Sequence, residues 1–72
     1  LSYKEQRELD GLPNEMASLE TEQHELSEKL ADGSLFVADL ALATKYSERL
    51  AKIDELLMDK LVRWDELENL AK

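Results

Sequence analysis

Leu9, Leu12, Met16, Leu19, Gln23, Leu26 and Leu30 stand alternately three and four residues apart, and Ala43, Tyr46, Leu50, Ile53 and Leu57 repeat the pattern after a break. An apolar residue at an average of about 3.5 positions keeps one narrow stripe of a helix turned toward a partner helix, the heptad rule of coiled coils. Two such stripes in a chain of 72 residues place the partner in the same chain. The expected fold class is all-α: an antiparallel two-helix coiled-coil hairpin with a kinked N-terminal helical segment and a short helical turn at its tip.

Local signals set the boundaries of this single domain. Ser2 and Glu5 have the spacing of a capping box, so a helix begins at Tyr3. Asp10-Gly11-Leu12-Pro13 disturbs it, because Gly weakens a helix and Pro has no N–H to donate. The seam stays in phase across these residues, which predicts a kink or a short tight turn near 10–13 within a first arm over about 3–31. Residues 32–38 form the turn. Gly33 suits the left-handed position past a helix end, Ser34 caps the next helical segment, and Leu35, Phe36 and Val37 plug the end of the seam. Asp39 then caps a second arm over 39–70.

In an antiparallel hairpin, facing positions have numbers that sum to a constant, here about 73. Leu30 then meets Ala43, Leu26 meets Tyr46, Gln23 meets Leu50, Leu19 meets Ile53, Met16 meets Leu57, Leu12 meets Leu61 and Leu9 meets Trp64. Past Leu57 the apolar spacing becomes four and then three, through Leu61 and Trp64. That change of phase predicts a local unwinding opposite the Gly11–Pro13 disturbance. Trp64 is expected to fill space beside Leu9 and Pro13, with Tyr3, Leu67 and Leu70 closing the base. Gln23 reads as a polar seam residue that fixes register.

Several function classes lack their parts. There is no cysteine, no phosphate-binding glycine loop and a single histidine, so nucleotide hydrolysis and triad chemistry are excluded for this chain. His24, among Glu22, Glu25 and Glu28, reads as a solvated surface residue rather than a metal ligand or pH sensor. The glutamates of the first arm form a solvated face with no calcium-loop spacing. No stretch reaches the roughly 20 apolar residues that span a bilayer. The lack of cysteine fits a reducing, intracellular setting, and a start without Met or signal-peptide order points to a fragment of a longer protein.

The balance of 17 acidic against 9 basic residues gives a net charge of −8, which opposes nonspecific binding to a polyanion. Two basic groups run against that balance. Lys45, Arg49 and Lys52 are spaced as one stripe of the second arm with Lys29 nearby at the turn end, and Lys4, Arg7, Lys60, Arg63 and Lys72 lie nearer the base. Interhelical charge pairing is the first reading of both, with Arg49 across from Glu22; a phosphate-binding surface is the second. Leu40, Leu42, Leu56 and Val62, just off the seam, form a candidate ridge for a protein partner.

The opening Leu1-Ser2-Tyr3-Lys4-Glu5-Gln6-Arg7-Glu8-Leu9, followed by Leu12-Pro13, resembles the start of the C-terminal domain of Uup-type ABC-F ATPases. Ala31-Asp32 before Leu35-Phe36, and the closing Arg63-Trp64-Asp65-Glu66-Leu67-Glu68, carry the resemblance over essentially the whole chain. It implies a helical hairpin at the end of a cytoplasmic protein with two ATP-binding cassettes, where ATP and Mg belong to those cassettes and no cofactor belongs to this chain. It also implies a non-catalytic role in binding DNA or ribosomal RNA, with Lys29, Lys45, Arg49, Lys52, Lys4, Arg7, Lys60 and Arg63 as candidate contacts. The alternative is a protein-interaction or spacer module that contacts the ribosome or the parent cassettes. No membrane partner is expected, and the fragment alone is expected to be a monomer.

Overall fold

A computed structural model describes residues 1–71 as three helices: α1 (Tyr3–Leu30), α2 (Ser34–Ala38) and α3 (Leu40–Ala71). The two long helices pack antiparallel into a rod of 51 × 16 × 15 Å, and no strand occurs among the described residues. The all-α hairpin is therefore the fold.

The first helix starts where its cap allows. The Ser2 hydroxyl accepts from the Glu5 N–H and the Glu5 carboxylate accepts from the Ser2 N–H, both at 3.2 Å, so two orphan donors are satisfied reciprocally. Gly11 and Pro13 sit inside α1, which continues through them as one helix, so no tight turn forms there. Pro13 has no N–H for the Leu9 carbonyl. Burial of Leu12 and Met16 on either side of it holds the helix to its partner.

At the tip Gly33 takes φ +74°, which an L side chain rarely adopts. Ser34 is not the cap expected of it. Asp32 takes that role, its Oδ1 accepting from the Ser34 N–H at 2.9 Å and from the Ser34 hydroxyl at 2.8 Å. These bonds draw the Asp32 carboxyl below its ordinary range. Asp39 does cap the last helix, its carboxylate accepting from the Leu42 N–H at 3.1 Å. Of the three apolar residues between them only Leu35 turns inward; Phe36 is exposed and Val37 is 91% exposed, so the tip is not plugged by all three. A five-residue helix presents one narrow stripe to the seam, and its other positions face water.

The core is a single seam. Leu12, Met16 and Leu26 of α1 and Ala43, Ile53 and Leu67 of α3 are buried, with Leu9, Leu19, Gln23, Leu30, Tyr46, Leu50, Leu57 and Trp64 partly so. The expected change of phase past Leu57 does not occur. The inward positions continue as Leu57, Lys60, Trp64 and Leu67, still alternating three and four, and Leu61 is turned out to 48% exposure. Lys60 holds this seam place because its aliphatic stem covers apolar surface while the ammonium reaches Glu15 at 3.4 Å. Leu12 consequently sits beside Leu56, Lys60 and Arg63 rather than facing Leu61.

The base also differs from expectation. Leu67 is fully buried, whereas Tyr3 is 79% exposed and Leu70 is mostly exposed, so neither closes the seam. Tyr3 is the first residue of its helix, with no packed turn before it, and its ring instead lies under the Arg7 guanidinium at 5.8 Å.

Candidate nucleic-acid interface

The basic candidates fall mainly on one flank of the rod. On α3, Lys45, Arg49, Lys52, Lys60 and Arg63 are all the lysines and arginines of the helix, and their spacing holds them to one side of the seam over about 27 Å at ~1.5 Å per residue. On α1, Glu8, Glu15, Glu22 and Lys29 are seven apart and run along the facing edge, with Lys4 one turn before Glu8. Arg7 lies off this flank, over the Tyr3 ring. Lys72 lies outside the described residues.

The two edges form a ladder of ion pairs. Arg49 donates through Nε and Nη2 to both oxygens of Glu22 at 2.6 and 3.0 Å, the pairing anticipated from register. Arg63 grips Glu8 in the same two-pronged way at 2.7 and 3.0 Å, and its Nη1 reaches Glu66 at 3.2 Å. Lys60 and Glu15 make the rung between them. Planar guanidinium and carboxylate groups meeting edge to edge make the strongest kind of exposed pair. Lys52 leans on Glu55 at 3.8 Å, and the Lys29 ammonium sits 5.2 Å over the Tyr46 ring. Lys4 and Lys45 make no ion pair with a described residue.

Register anticipates one rung and misses two. Their signal is present as the sevenfold spacing of Glu8, Glu15 and Glu22 against Arg49, Leu56 and Arg63. Leu56 stands where the series would place a cation, and Lys60, one turn on, reaches back to Glu15 instead.

Hydrogen bonds from Arg63 and Arg49 hold the Glu8 and Glu22 carboxyls below their ordinary range against an opposing effect of desolvation, and raise both guanidinium groups in return. A carboxyl lowered by folding adds stability that is complete above its unfolded value and disappears as pH falls through its folded value. The melting temperature of the native chain should therefore exceed that of E8Q/E22Q at neutral pH. This gap should narrow as pH is taken below about 4.3, the ordinary glutamate value, and close once both carboxyls are protonated. A gap independent of pH would show that the rungs do not hold the hairpin.

Gln23 lies on the opposite side of the seam and donates to Asp54 Oδ1 at 2.6 Å, a polar bond across the two helices that suits a register-setting role. His24 is exposed and contacts Glu28 at 3.1 Å. The indole N–H of Trp64 donates to Glu68 at 2.9 Å. The anticipated ridge of Leu40, Leu42, Leu56 and Val62 does not form one surface: Leu42 and Leu56 are half buried, and Leu40 and Val62 lie about 33 Å apart along the helix at ~1.5 Å per residue. Among the described residues no cluster of three or more potential ligands could hold a metal ion, and no helix is long and apolar enough to cross a membrane.

Residues 1–69 match the family described as ABC transporter C-terminal domain. Two proteins of Haemophilus influenzae, an ATP-binding protein Uup-like and an ATP-binding protein Uup, are each 38% identical to the chain over 68 residues, or 94% of it. The chain spans 15% of the first and 10% of the second. No solved structure matches it. With a hairpin fold, a match over nearly every residue and the same relatives that its opening and closing segments resemble, the chain belongs to the ABC transporter C-terminal domain family, of the kind carried by Uup-type ABC-F proteins.

Proposed function

We propose that this chain is a non-catalytic arm that helps seat a cytoplasmic ABC-F ATPase on DNA or ribosomal RNA. ATP and Mg are handled by cassettes beyond it. The observation that carries this reading is the gathering of every α3 cation on one flank, with Lys29 and Lys4 on the same side. A phosphate backbone recognises a line of cations, and one-sided placement lets several act together even in a chain of net negative charge. Lys45 and Lys52 offer the first contacts, and Arg49 and Arg63 join by exchanging their glutamates for phosphate oxygens.

The test is a fluorescence-anisotropy titration against duplex DNA, single-stranded DNA and structured RNA at two salt concentrations. Binding to one of them should weaken with salt. In the K45A/R49A/K52A variant affinity should fall, and the slope of log K against log salt should flatten by about one unit per lost contact. Unchanged affinity in that variant, or no binding by the native chain at low salt, would remove the proposal.

A further inference from the structure

The flank opposite the ion-pair ladder has a different chemistry. Met58, Leu61 and Val62 stand at positions i, i+3 and i+4 of α3, on one side of the helix, and are 62%, 48% and 53% exposed. Leu61 joins Trp64, Asp65 and Glu68 in lining a shallow depression. Helical spacing sets Asp54, Asp65 and Glu68 on the same side of α3 as this apolar strip, where they accept from the uncharged side chains of Gln23, Asn69 and Trp64. No lysine or arginine of α3 lies on that side, because all five are on the ladder flank.

We infer that this strip docks a cationic amphipathic helix of a protein partner, its apolar face laid on Met58, Leu61 and Val62 and its lysines or arginines on the neighbouring carboxylates. Three exposed apolar side chains within little more than one turn match the i, i+3, i+4 face by which a helix enters a shallow groove. Carboxylates on that side choose the partner's charge. A second copy of the chain is a poor occupant: a two-fold contact sets each strip against its own like, and each copy carries −8. A nucleic acid is repelled by the same carboxylates. The inference stands on residues the proposed phosphate flank does not use, so either can fail alone.

The probes are two synthetic helical peptides with the same leucine face, one with lysines beside that face and one with glutamates in their place. The lysine peptide should bind the 72-residue chain, shift backbone amide resonances between residues 54 and 68 most strongly, and lose at least about tenfold in affinity against M58S/L61S/V62S. That variant should keep the native circular dichroism spectrum, since all three side chains face water. Equal binding of the glutamate peptide, or lysine-peptide binding that the triple variant leaves unchanged, would overturn the inference. So would a concentration-dependent dimer, seen by sedimentation, that the triple variant dissolves, because the strip would then serve self-association.

Discussion

Leu67→Ala is expected to unfold much of the chain at room temperature, while Leu61→Ala leaves it folded. Leu67 is fully buried near the open end of the seam, and Leu61, less than two turns before it, is turned toward solvent. Truncating a buried leucine to alanine costs about 2–5 kcal/mol, and a single core in a chain this short supplies no more than about 3–5 kcal/mol in all. An exposed leucine is worth within about 0.5 kcal/mol. Ile53→Ala, at the other fully buried large side chain, should behave like Leu67→Ala. Urea titrations followed by circular dichroism read the difference directly. A stability loss at Leu61 equal to that at Leu67 would mean that the seam does shift phase past Leu57.

Neutralising the ladder should strengthen nucleic-acid binding. In E8Q/E22Q the two arginines lose their charged partners, and removing two negative charges from a net of −8 leaves −6. Both guanidinium groups become available to phosphate without first breaking a two-pronged carboxylate pair. Affinity at low salt should rise on the order of tenfold, with a steeper salt dependence because more phosphates are neutralised per complex. Gln keeps the size of Glu and still accepts a hydrogen bond from Arg, so the hairpin remains intact. Lower or unchanged affinity would mark the ladder as purely a clamp between helices and count against phosphate contacts by Arg49 and Arg63.

The seam is legible in the sequence because a heptad is a one-dimensional signal: Leu12, Met16, Leu26 and Ile53 stand where spacing puts them, and the core closes on them. Lys60 and Leu61 exchange their expected roles. Apolarity alone favours Leu61, whereas the unbroken alternation favours Lys60, whose long side chain satisfies packing with its stem and charge with its tip. Phe36 and Val37 mislead for a related reason, since a five-residue helix shows the seam too few sides to use all its apolar residues. The one-sided gathering of α3 cations is hidden by the count, which records an acidic chain; flank is a property of spacing, and −8 contains none of it.

The rungs of the ladder also set an order in time. Arg49 and Glu22 are 27 residues apart in the chain, Lys60 and Glu15 45, and Arg63 and Glu8 55. Doubling the loop adds about 0.6 kcal/mol to the entropic cost of closing it, so the arms meet first beside the Gly33 turn and zip toward the free ends. Amide hydrogen exchange should then be slower around residue 49 than around residue 63. Opening runs the same track backward, so the Arg63 guanidinium leaves its carboxylate before that of Arg49 does.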